Sequence, residues 1–332
     1  MELIKNKNSP LLSINTSFSD YVIERKSQEQ LHMNNGIPDY AFALDYQLRQ
    51  RLGQIPHFYN ICKKICATIE TRNIQFYNQK AVAVGPNQYP EIYNMGINCA
   101  KRLGIGVPNI FIYSNTEMNA FTYASDNISP MIVIYTGIID RLSPKEVKCV
   151  IAHECGHIHN QHLVYKNVIN SILSGNSNIF GAILSIANIA LMQFWNRACE
   201  ITADRAGMIC GDEVKDSISV QMKLLSGATF NQAFQQDLDI DMLREQLNIT
   251  IQNPSKLSEI LNNHPSSIRR IFCIKEFEEC ETFYNWRSEL LKSDSITRSK
   301  SETDDRCQQL INIVNNNVAP TLYHSKIGGS VL

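Results

Sequence analysis

The sequence predicts an α+β protein, mostly helical, with a small β-sheet packed beside one motif-bearing helix. Three observations carry this. Apolar residues recur at helical spacing in several segments. Three short β-branched and aromatic runs lie between residues 109 and 135. A clear helix start at Ser143 follows them directly.

Residues 1–55 are polar, rich in Asn, Ser and Gln, and weakly patterned; they read as an extended arm with room for one short helix. From His57 to about Thr71, Phe58, Cys62, Ile65 and Ile69 mark one helical face. Tyr89 to Leu103 repeats the pattern through Ile92, Met95 and Cys99, and Gly104, Gly106 and Pro108 end it. Asn109–Tyr113, Met118–Tyr123 and Met131–Tyr135 read as strands of one small sheet. Ser143-Pro144-Lys145-Glu146 then sets Ser at the N-cap, Pro at the first helical position and Glu where it can return a bond to the cap.

The stretch 179–195, IFGAILSIANIALMQFW, is apolar apart from Ser185, Asn188 and Gln193. It falls short of the ~20 residues a spanning helix needs. A buried core helix is the first reading, and a helix dipping into a bilayer surface is the alternative. Arg197 to about Ile209 is helical and stops at Gly211, and more helical sequence runs to about Leu261. Asn263-His264-Pro265 breaks it, and Ser266 to about Glu279 forms a last helix. Residues 293–308 have the charged, Ser-rich composition of a linker. The division expected is an arm (1–55), one catalytic domain (56–290) and a C-terminal tail (291–332).

Apolar residues make up 44% of the 332 and charged residues 19%, which supports a folded core. A net charge of −1 gives no electrostatic reason for a nucleic-acid partner. The ten cysteines form no CxxC pair, and most of them read as buried free thiols of a reducing compartment. The first residues lack the apolar run of a secretory signal. The expected location is cytoplasmic, with peripheral membrane contact through 179–195 as an option.

The chemistry lies in His153-Glu154-Cys155-Gly156-His157. Positions four apart share a helix face, so both imidazoles can meet one ion, while Glu154 on a neighbouring line can reach a water beside it. The helix also carries Val147, Val150, Ile151 and Ile158. Burying two imidazoles and a carboxylate beside them without partners would cost several kcal/mol, and a metal removes that cost. A third ligand is needed. Asn160 and Leu163 stand where an extended three-histidine motif would place Gly and His. His159 and His162 are off the metal line and read as surface residues. Glu200 and Asp204, four apart on a second helix, are the better pair: Glu200 to ligate and Asp204 to accept the far N–H of a ligand histidine. Cys155 should face away from the ion, and Cys199 lies nearer.

HExxH followed by ExxxD, with Asn119-Ala120-Phe121 before them and His264-Pro265 and Arg270 after, resembles the gluzincin metallopeptidases of the HtpX and CAAX-prenyl-protease type over about residues 88–275. The resemblance implies a zincin-like, mostly helical catalytic domain with a small sheet, one Zn2+ per chain and peptide-bond hydrolysis. It places His153, His157 and Glu200 at the metal, Glu154 as the catalytic base, and His264 near the scissile carbonyl. Asn119, Ala120, Phe121 and Arg270 fall on the substrate side. The sequence therefore reads as a zinc-dependent endopeptidase acting on polypeptides. A membrane-associated or partner-binding protein with a non-catalytic zinc site is the alternative.

Overall fold

A computed structural model describes residues 17–27, 32–125, 128–173, 186–227, 239–252, 266–295 and 297–311. Helix α1 is Phe18–Ser27, a two-residue ribbon pairs β1 (Met33–Asn34) with β2 (Ile37–Pro38), and helix α2 is Ala43–Gly53. Then come α3 (Phe58–Lys80), β3 (Val82–Ala83), α4 (Pro90–Leu103), β4 (Asn109–Tyr113), β5 (Ala120–Ser125), β6 (Ile128–Tyr135) and α5 (Thr136–Arg141). The metal-motif helix α6 is Pro144–His159, followed by α7 (Leu163–Leu173), α8 (Ile186–Cys210), α9 (Val214–Ser226) and α10 (Ile240–Gln252). α11 (Ser267–Glu278), α12 (Glu281–Trp286), a 3-10 turn at Ser288–Leu290 and α13 (Lys300–Ile311) complete the described chain.

The four-stranded sheet runs β3-β4-β6-β5, with β4 and β6 parallel and the outer pairs antiparallel. β6 is buried on both faces, and its alternation shows it. Ile132 and Ile134 join the main core, whereas Met131, Val133 and Tyr135 join an aromatic cluster with Tyr77 and Phe111. β5 is left as an edge strand beside α6.

α6 begins as its sequence requires. The Glu146 amide donates to Ser143 Oγ (3.4 Å), and the Ser143 amide donates to Glu146 Oε2 (2.6 Å). It packs lengthwise on α8. The contact is close because small residues meet there: Gly156 on α6 faces Ala203 and Ala206 on α8. That crossing turns His153 and His157 toward Glu200 and Asp204.

Three expectations change. The weakly patterned 1–55 segment contains two helices, and α2 packs on α8 with Leu48 and Leu52 buried. The 293–308 segment, linker-like by composition, contains most of α13, which turns Thr303, Asp304, Cys307 and Ile311 inward. Asp304 holds the buried Arg205 guanidinium at 2.7 Å, and that group also stacks 4.6 Å from the Phe277 ring centroid. A charged segment can thus be core-bound when its acid neutralises a buried cation. The helix predicted from Arg197 already starts at Ile186. The part of the apolar stretch that is described enters α8, where Met192 and Trp195 are fully buried. Residues 179–185 lie outside the described residues. Among the described residues no helix is long and apolar enough to cross a membrane.

Candidate metal centre and active site

Three donors converge where α6 meets α8. His153 Nε2 lies 3.5 Å from Glu200 Oε2, and His157 Nε2 lies 3.4 Å from Glu200 Oε1. A tetrahedral ion with bonds of 2.0–2.1 Å spaces its ligands by about 3.3–3.4 Å. The His153, His157 and Glu200 donors all lie within 4.8 Å of one another and could hold a metal ion. Two imidazole nitrogens and one carboxylate are the donor types zinc accepts, with a fourth position left open. A cation already gathers there: the Lys166 ammonium from α7 donates to His157 Nε2 (2.7 Å) and to Glu200 Oε1.

The protonation pattern follows from the neighbours. Burial and the Lys166 charge hold the His157 pKa well below its ordinary value. Burial also opposes charge on His153, but its bonds to Asp204 and Glu200 outweigh that and raise it to about 9. Asp204 accepts from His153 Nδ1 at 3.0 Å. It also receives both arms of Arg270, Nε at 2.7 Å and an NH2 nitrogen at 2.5 Å. Burial alone would raise the Asp204 pKa; the Arg270 pair reverses the direction and keeps it ionised. Arg270 is itself buried, on α11, which packs against α8.

Glu154, 7% exposed, stands beside the donor set rather than in it. The Thr122 hydroxyl on β5 donates to its Oε2 at 2.5 Å. Asn119, Ala120 and Phe121 line the same cleft of about 480 Å³ as His153, Glu154, His157, Glu200 and Arg270. Phe121 also packs edge-on to Tyr135 at 5.0 Å. His264 lies outside the described residues.

His159 and His162, expected at the surface, are buried at 4% and 0% exposure. The segment that looked like a loose arm covers them. Tyr40 Oη lies 3.0 Å from His159 Nδ1, and Asp45 reaches His162. Cys155 points into the main core, away from the donors. Cys199 forms a second possible donor group with His157 and His162. Burial pushes its thiol well up, and Sγ donates to the Asn196 carbonyl at 3.1 Å. The carboxylate-containing group is therefore the better metal site. Thr122, Lys166 and Asp45 were not legible as site residues. Only Thr122 had a usable signal, its alternation with Ala120 on one strand.

The family model for peptidase family M48 matches residues 86–278, more than half of the chain. The chain belongs to peptidase family M48. Among its M48 relatives, the plastoglobule-localized metallopeptidase 48 of Arabidopsis thaliana is 27% identical over 211 residues, covering 63% of this chain and 60% of that protein. Protease HtpX of Legionella pneumophila is 26% identical over 232 residues, covering 61% of this chain and 80% of that protein. An HtpX homolog of Thermoanaerobacter pseudethanolicus is 26% identical over 115 residues, and the chain spans only 36% of its length. No solved structure matches the chain. The matched segment contains every donor of the candidate metal group, whereas Asp45 on α2 lies before it.

Proposed function

We propose that this M48 chain is a zinc-dependent endopeptidase acting on polypeptides, with His153, His157 and Glu200 as ligands and Glu154 as general base. One observation carries the reading. Both histidine donors sit at zinc-ligand spacing from Glu200, all three donors lie within 4.8 Å of one another, and a buried carboxylate beside them stays outside the set. A structural zinc site fills all four positions and has no use for that carboxylate.

Zinc bound there supplies a Lewis acid for the substrate carbonyl and makes a nearby water a good nucleophile near neutral pH. Glu154 takes the proton from the attacking water and passes it to the leaving amine. Thr122 keeps the Glu154 carboxylate turned into the cleft. Asp204 holds the His153 ring by its Nδ1–H. β5 offers an edge for an extended peptide, which binds by main-chain pairing with little sequence demand. The far end of that edge is closed, since the Ala124 amide donates to Glu70 Oε1 at 2.8 Å. All ten cysteines are buried free thiols, which supports a reducing location for the protein.

The test measures metal content and casein cleavage of the purified chain, with chelator and after zinc is returned. Cleavage should stop with the chelator and recover with zinc. Glu154→Gln should retain zinc while cleavage falls by about 100-fold or more. Cleavage by Glu154→Gln at the parent rate would end the general-base assignment, and a zinc-free, chelator-indifferent parent would end the metallopeptidase reading.

A further inference from the structure

His157 has a second ring nitrogen, and its surroundings are as ordered as the first. Its Nδ1 lies 2.8 Å from His162 Nδ1. His162 Nε2 lies 2.9 Å from Asp45 Oδ2. Asp45 Oδ2 also accepts from Thr202 Oγ1 at 2.8 Å, and Oδ1 accepts from Trp195 Nε1 at 2.9 Å. Asp45 is 1% exposed, and His162 is fully buried.

The protons in this chain of bonds have one consistent arrangement. An ionised carboxylate only accepts, so His162 Nε2 carries a hydrogen and donates to Asp45. The neutral His162 ring then has a lone pair on Nδ1. Two Nδ1 atoms at 2.8 Å share one hydrogen, which must sit on His157. That leaves His157 Nε2 with its lone pair on the Glu200 side. Protonating His162 twice would force the hydrogen of His157 onto Nε2 and remove it as a ligand.

We propose that Asp45 and His162 are positioning residues that fix the tautomer and ring plane of His157 for metal binding. The proposal rests on the zinc reading above. Asp45 is supplied by α2, which precedes the matched family segment, so this chain's own N-terminal part helps build the centre. Thr202 and Trp195 hold Asp45 from α8, the helix that carries Glu200. The same helix thereby sets the third donor directly and the second donor through two side chains.

The experiment measures zinc affinity of the full chain by competition with a chromophoric chelator. Asp45→Asn and His162→Ala should each weaken zinc binding by about 10–100-fold. His162→Asn, which keeps an acceptor near the Nδ1 position, should recover part of that. Long-range 1H–15N correlation on the zinc-loaded parent should show His157 protonated at Nδ1 and His162 at Nε2, a result that needs no variant to fold. Variant affinities within threefold of the parent, or the opposite tautomers, would overturn the proposal. If the parent binds no more tightly than His153→Ala, the zinc reading itself fails, and this proposal with it.

Discussion

A Cβ built on Gly156 would lie 2.7 Å from the Cβ of Ala206 and 3.1 Å from the Cα of Ala203. None of these atoms can swing aside, so the spacing between α6 and α8, and with it the histidine–Glu200 distance, depends on the missing side chain. Gly156→Ala should gain up to ~1 kcal/mol of helix propensity but lose more to overpacking, roughly 1–3 kcal/mol. The expected net result is a lower thermal midpoint together with weaker zinc binding by chelator competition. A midpoint and affinity equal to the parent would show that the helices are free to separate.

Thr122 tests how Glu154 is held. Thr122→Val removes the hydroxyl 2.5 Å from Glu154 Oε2 while keeping the shape of the side chain. Turnover of a peptide substrate should fall by about tenfold, the loss of one hydrogen bond to a charged group, with KM and zinc content unchanged. An unchanged kcat would mean that Glu154 is aimed by the helix alone.

Arg270 separates a structural role from a substrate role. Its two-armed bond to Asp204 is buried, and removing one partner of such a pair costs about 3–5 kcal/mol. Arg270→Ala should therefore lower urea stability by that order. Arg270→Lys, which keeps the charge but not the fork, should fall between the two. A raised KM with parent-like stability would instead assign Arg270 to the peptide.

Glu146 predicts an acid dependence. Burial opposes its charge, but Lys223 at 2.7 Å, Ser219 at 2.5 Å and the Ser143 amide lower its pKa below the ordinary value. The folded-state pKa is depressed, so the stabilisation is present above the unfolded carboxyl pKa of about 4.3 and disappears as pH falls through the folded value. Between pH 7 and 3, Glu146→Gln should be less stable at neutral pH and show a flatter loss on acidification. Parallel curves for parent and variant would rule this group out as a source of acid lability.

The sequence by itself determined what repeats locally. The spacing His153–His157 and Glu200–Asp204 put each pair on one helix face, the Ser143–Glu146 box started the motif helix, and the β-branched runs marked three of the sheet's strands. These follow from the periods of helix and strand, which need no knowledge of what lies opposite. Tertiary structure alone decided what covers each face. His159 and His162 look like surface residues until Tyr40, just before α2, and Asp45 on α2 come onto them from more than a hundred positions away. The charged run in α13 reads as linker until Asp304 meets the buried Arg205. A polar side chain has the same local signature whether it faces water or a buried partner, and only the folded chain supplies the partner.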